Sequence, residues 1–241
     1  MTTTSATWPR QLRLPGQAAA PEGPIDMQMM FVMHHAFRRD LDAFAAAVRG
    51  TPAGERRTWR ALAERWELFA EVLHRHHTGE DEGLWPLLTR LGSAGDVATL
   101  EAMEAEHGEI DPLLESCAAG FRRLARRADE DARSALAVRV CAARESLRRH
   151  LAHEESDAIA IVQRLLSPAD WARLDEEHFR KDVTPGYAAR LVPWAAYGLP
   201  HEALDRVFAD VGRGFWVMWL LTRGSFARRE ARTFRFADEP G

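Results

Sequence analysis

Four histidines, His34, His76, His107 and His150, fall in four well-separated stretches of this chain, and two of them are followed four residues later by a glutamate, Glu80 and Glu154. In a helix, residues i and i+4 lie one above the other on the same face, so each His-x-x-x-Glu pair presents an imidazole and a carboxylate together. Imidazole nitrogen and carboxylate oxygen together suit iron, manganese or zinc. A closed structural zinc site would use four ligands, and neither Cys117 nor Cys141 belongs to this set. Six ligands suit two ions about 3.5–4 Å apart, bridged by carboxylates and a solvent oxygen. Spacing alone leaves open which residues share an ion.

The elements that carry these residues follow from apolar periodicity. Breaks at 49–55, 91–96 and 126–131 divide residues 25–166 into four long helical stretches with short connections, the pattern of an up-down antiparallel four-helix bundle. Stepping by three and four along each stretch gives its inward seam. The first reads Met27, Met30, His34, Phe37, Leu41, Phe44, Val48. The second reads Trp59, Leu62, Trp66, Phe69, Leu73, His76, Glu80, then Leu84 or Leu87 and Leu91. The third reads Leu100, Met103, His107, Ile110, Leu114, Cys117, Phe121, Leu124, and the fourth Leu136, Val140, Ala143, Leu147, His150, Glu154, Asp157, Ile161. Each seam is apolar except at the histidine and, in two cases, the following carboxylates. Buried charges need partners, and a cation between the helices supplies one.

His77, Asp81, His153 and Glu155 lie beside the seam, as further candidates to bind the metal or to orient its ligands, or as solvated flank. His35 and His74 read as exposed, and His178 and His201 lie outside the bundle. Trp66 and Phe69 are candidates to wall a pocket near His76, although core packing explains them equally well. Gly79 and Gly83 flank Glu80, either easing crowding there or merely weakening the helix. The only tyrosines, Tyr187 and Tyr197, are C-terminal, which excludes a tyrosine ligand from the four-helix region.

Outside the bundle, residues 1–24 are rich in Thr, Ala, Pro and Gly without periodicity and read as a flexible tail. Residues 167–241 read as a helical extension packed on the bundle or in a homodimer interface. Ser167 and Pro168 start a helix running to about Lys181, and a last helix spans roughly His201 to Thr233. A net charge of -4 with interspersed signs gives no nucleic-acid signature. The N-terminus has no apolar core of a secretory signal, the longest apolar run (Phe215 to Leu221) is too short to span a bilayer, and two cysteines make no disulfide framework, so a cytoplasmic location is expected.

The stretches "HHAFRRDL" (34–41), "HHTGEDEGLWPLL" (76–88), "EHGEIDPLL" (106–114) and "HLAHEE" (150–155), in this order on four helices, resemble the hemerythrin-like, His-His-Glu cation-binding superfamily, and together resemble its actinobacterial members. Ferritin-like bundles use Glu-x-x-His pairs in a carboxylate-rich set, whereas here the pairs read His-x-x-x-Glu and histidine outnumbers carboxylate. The resemblance implies a non-haem di-iron centre bridged by two carboxylates and an oxo or hydroxo group, with manganese or zinc as possible substitutes. It places the ligands on His34, His76, Glu80, His107, His150 and Glu154, the same six that the seams select. Oxygen-carrying members have a second histidine where this chain has Asp111, so Asp111 is either a ligand or a polar neighbour, and a position is expected to stay open for a small molecule. Asp157 stands with Asp111 among the further candidates. The implied activity is binding of, or reaction with, O2, peroxide or NO, as sensor, scavenger or redox protein. Two alternatives stand beside it: a di-iron oxidase or oxygenase acting on a small organic substrate, or a peroxide-decomposing enzyme of the same oxidoreductase kind, and iron storage or donation.

Overall fold

The computed structural model describes residues 8–237, and all of its regular elements are helical. Helix α1 spans Gln28–Gly50, and α2, Arg56–Gly79, continues through a π-turn at Glu80–Leu84 into α3, Trp85–Leu91. Helix α4 covers Ala94–Arg126, and α5, Glu130–His153, continues through a second π-turn at Glu154–Ala158 into α6, Ile159–Leu165. These are the four bundle rods. Chain reversals fall at 51–55, 92–93 and 127–129, and the seams enclose one core in which α1 packs on α5, α5 on α4 and α4 on α2.

Local chemistry fixes the helix ends. Ser93 accepts a hydrogen bond from the Asp96 amide while Asp96 accepts from the Ser93 amide, a reciprocal cap at the start of α4. Asp129 caps α5 by accepting from the Ala132 amide. Ser167 and Asp170 repeat the reciprocal cap at α7, Pro168–Leu174, with Pro168 in the first turn as its fixed φ favours. Helix α4 runs through Pro112 without ending, so that proline forfeits one backbone donor and does not break the helix.

The extension follows as α7, a third π-turn at Asp175–Phe179, α8 (Pro185–Ala196), α9 (His201–Val211) and α10 (Arg213–Thr233). The single C-terminal helix expected over 201–233 is two helices. Gly212, at φ +93, takes a backbone conformation that breaks the run and that only glycine adopts freely. Helices α8 and α10 dock on the bundle around a buried ionic knot. Asp40 of α1 accepts from Arg65 of α2 and, at 2.8 Å, from the indole N–H of Trp194, and Arg65 donates to Glu230 of α10 at 2.7 Å. Asp40, Arg65, Trp194 and Glu230 are all buried, so each charge depends on the others for compensation.

The N-terminal segment differs from the tail expected over 1–24. Residues 1–7 lie outside the described residues, but residues 8–24 lie along the bundle with Leu12, Leu14 and Ala20 buried. Side-chain-to-backbone bonds replace regular structure there: Gln11 donates to the Ile25 carbonyl at 2.7 Å and accepts from the Met27 amide at 3.1 Å. Such pairing supplies the ordering that composition alone does not suggest.

Trp194 is fully buried and ties α8 to Asp40. Trp194→Ala is expected to lower the unfolding free energy by about 3–5 kcal/mol in a denaturant titration. A loss below ~1 kcal/mol would show that the extension contributes little to the stability of the bundle.

Candidate metal centre

The four rods bring the seam histidines and carboxylates to one level of the core. Two groups of donor atoms form there, each with its atoms within 4.8 Å of one another: His34, His76, Glu80 and Glu154 in one, and His77, Glu80, His107 and His150 in the other. Glu80 belongs to both. One of its oxygens lies 3.2 Å from His76 Nε2 and the other 3.6 Å from His107 Nε2. Glu154 also reaches both sides, with Oε2 at 3.1 Å from His34 Nε2 and 3.9 Å from His150 Nε2. All six residues selected by the seams converge, and His77 joins them as a fifth imidazole, stacked on His107 with ring centroids 3.8 Å apart.

The seam ladder passed over His77 because it takes one residue per turn, and His76 and His77 straddle the seam. The signal was in the sequence as an adjacent histidine pair ahead of Glu80. The expected open position therefore does not follow from a shortage of histidines. Asp111 is exposed on α4, since one residue past the inward Ile110 the helix has rotated about 100° away from the core. Asp157 is exposed too. Both carboxylates of the seam stand at the first residue of a π-turn, Glu80 and Glu154. Past the π-turns the inward stripe continues at Leu84 and Leu88 after Glu80 and at Ala158, Ile161 and Val162 after Glu154, while Leu91 is exposed.

A second layer of carboxylates holds the rings. Glu155 Oε1 meets His34 Nδ1 at 3.0 Å and accepts from Arg38 at 2.7 Å, while its other oxygen accepts from the Ala18 amide at 2.7 Å. Asp81 meets His107 Nδ1 at 2.8 Å. Glu106 meets His150 Nδ1 at 2.8 Å and His153 Nδ1 at 2.9 Å. In His34, His107 and His150 the carboxylate occupies Nδ1, which fixes the tautomer and turns Nε2 inward, the arrangement that raises the basicity of a metal-bound imidazole. Glu155 and Asp81 thus act through the rings, and His153 stands behind Glu106. Glu106 was invisible in the sequence because it reaches from α4 to α5, with no local spacing to mark it.

Several polar atoms inside are unsatisfied. Among the described residues, twelve buried side-chain nitrogen or oxygen atoms lack a hydrogen-bond partner, and eight belong to His34, His76, His77, Glu80 and Glu154. Both oxygens of Glu80 and of Glu154 are among them, a costly arrangement unless a cation stands between. His107 Nε2 and His150 Nε2 face each other at 3.1 Å. Two nitrogens about 2.1 Å from a shared ion and at right angles around it would lie ~3.0 Å apart, so this approach fits common ligation. Burial drives His76 down to about 3 and His77 and His150 down as well, favouring neutral, ligand-ready rings. Burial and the neighbouring Glu154 push Glu80 well above the ordinary carboxylate range. Burial opposes charge on His34, yet Glu154 and Glu155 outweigh it and hold that ring up at about 9.

Residues 27–162, more than half of the chain, match the family model described as Hemerythrin HHE cation binding domain. The chain belongs to this hemerythrin HHE family. No curated protein and no solved structure matches it. The matched span begins at the first residue of the α1 seam and ends within α6, so it contains both donor groups, whereas the extension from α7 onward lies beyond it.

Around the HHE site, Phe37 lies 5.3 Å and Phe179 6.3 Å from the His76 ring between centroids. Trp66 and Phe69 instead pack on Phe44 deeper in the core. Gly79 and Gly83 serve the extension rather than the donors: a Cβ on Gly79 would come within 2.8 Å of the Phe179 ring, and one on Gly83 within 2.5 Å of His178. His178 is accordingly half-buried, as is His35, while His74 and His201 are exposed.

Two expected outcomes follow. Cation uptake requires the protons on His34 and Glu80 to leave. Because both pKa values are raised, affinity rises with pH up to about 9. Calorimetric titration of metal-free protein at neutral pH in buffers of different protonation enthalpy should register proton release, and none released would contradict the assignment. Glu155→Gln removes the charge that turns His34 and pairs with Arg38. Metal affinity in a chelator competition should fall about 10- to 100-fold, and unchanged affinity would count against its role.

Proposed function

We propose that the HHE domain holds two iron ions and uses them to bind or react with O2, peroxide or NO. The observation that carries this reading is the pair of donor groups sharing Glu80 at the centre of a buried core. His34, His76 and Glu154 would hold one ion, His77, His107 and His150 the other, and Glu80 would lie between, with Glu154 near enough to the second ion to share it. When bound, such a pair of ions supplies electrons to, or accepts them from, a small oxygen or nitrogen ligand. Manganese or zinc would satisfy the same donors without being the reading favoured here.

The side chains of the chain have separate tasks. Glu155, Asp81 and Glu106 hold the imidazoles in their ligating orientation. Phe37 and the buried seam leucines exclude bulk water, which strengthens every electrostatic interaction inside. His34, kept charged in the metal-free protein by Glu154 and Glu155, offers its proton on metal uptake rather than acting on a substrate.

A second reading, oxidation of a small organic molecule, is favoured by an apolar cavity that reaches the His76 ring. The two readings separate on exposure of the reduced protein to air. Reversible change of the visible spectrum supports binding, and irreversible oxidation with turnover of peroxide or an added organic substrate supports catalysis. The foundation is tested by metal analysis. A fully loaded sample should hold two irons per chain, and the His76→Ala, Glu80→Ala double variant should lose both-site loading. Fewer than about 1.5 irons per chain, or normal loading of the double variant, would overturn the proposal.

A further inference from the structure

Between the HHE bundle and the extension lies a cavity of about 250 Å³. One wall is bundle: Met29, Met30 and Met33 of α1, with Val72 and His76 of α2. The opposite wall comes from outside the matched family span: Trp171 of α7, Phe179, Tyr187 of α8, Val207 of α9 and Phe215 of α10. We infer that this cavity is a binding site for a small, uncharged, apolar organic molecule, held by the C-terminal extension against the outer edge of His76.

Size, lining and charge each bear on the occupant. A cavity of ~150 Å³ lined by apolar side chains takes up benzene, so this larger one accommodates a ring carrying a short chain. Three methionines within five residues of α1 give a soft, adaptable face of the kind used where ligands of varied shape must be gripped. Charges at the lining cancel. Arg180 lies 3.7 Å from Asp175, and Arg75 stands over the Tyr187 ring at 4.4 Å and beside Glu71 at 3.8 Å. Against Arg75 and Arg180 stand Asp175 and Asp210, so no net charge is left to recruit an anion or a cation.

The position of the cavity gives it a meaning for the centre. His76 is the only member of the first donor group that lines it. Its Nε2 is buried and turned to Glu80, while the residue keeps a small exposure and lines the cavity. Phe179 closes over the same ring, and its seat requires the missing side chain of Gly79, where a Cβ would approach within 2.8 Å. The bundle and the extension are thus fitted to each other at the point where an occupant would touch the site. The inference goes beyond the metal reading, because occupancy is read at the methionines whether or not metal is bound.

The test uses the full chain with [methyl-13C]methionine, titrated with propylbenzene in the metal-free and the iron-loaded state. Met29, Met30 and Met33 are expected to shift saturably in about the millimolar range or below, while Met103, buried in the α4 seam, stays fixed. 3-Phenylpropionate, which has the same ring and a charged end, should bind at least tenfold more weakly. Val183→Trp and Val211→Trp fill the cavity from its rim and should each weaken propylbenzene binding at least tenfold with iron content unchanged. Absence of saturable shifts at the three methionines, shifts centred on Met103 or Met218 instead, equal binding of the carboxylate, or undiminished binding in both folded variants would each overturn the inference. Loss of iron with retained methionine shifts would overturn the metal reading and leave this one standing.

Discussion

Two glutamates buried at the centre of a helical core are the constraint on which the rest of this structure turns. Glu80 and Glu154 are completely buried, and neither is paired with an arginine or lysine among the described residues. The effective penalty for desolvating one carboxylate is several kcal/mol, comparable to the whole stability margin of a domain. In the metal-free chain the pair relieves this by raising Glu80 so that it keeps its proton and by drawing charge onto His34. Elsewhere the same molecule solves the problem differently: Asp40, also buried, is met by Arg65 and Trp194 and needs no ion. The contrast between the two buried acidic centres marks the first as a place built for a cation.

The surroundings of the site then read as means of holding it. Each of the two π-turns begins at a seam carboxylate, and the extra residue in the wide turn lets neighbouring side chains on one helix face the interior together. In the second π-turn this brings in Glu154 for the centre and Glu155 for His34. The pair His76 and His77, in regular α2 ahead of the first π-turn, divides between the two donor groups. Glu155 extends the network to the N-terminal segment through the Ala18 amide, so a segment without regular structure helps hold the carboxylate that meets His34. Ring orientation therefore depends on chain elements far apart in sequence.

Much of this was legible in the sequence, and the omissions have definite causes. The four-rod architecture and six converging donors followed from apolar periodicity, because a histidine or glutamate in an otherwise apolar seam is conspicuous. A ladder of threes and fours selects one residue per turn, so it could not also select His77. Nor does it anticipate a π-turn, and Asp157 and Leu91, which the ladder places inward, stand exposed. Glu106 acts across two helices and leaves no local spacing. Residues 8–24 are ordered by glutamine-to-backbone bonds rather than by an apolar stripe, and the break between α9 and α10 rests on the positive φ of Gly212.

The extension adds to the HHE domain a second wall facing His76, anchored by Trp194 and Glu230 through the ionic knot. Its existence makes the environment of one imidazole depend on helices outside the family's matched span. The central claim, that two ions share Glu80, is tested most directly by a crystal structure of the iron-loaded protein with an anomalous difference map at the iron edge. The account predicts two peaks about 3.5–4 Å apart, with Glu80 between them and His34 and His76 on one side, His77, His107 and His150 on the other. A single peak, or iron bound only at exposed carboxylates such as Asp111 and Asp157, would contradict it.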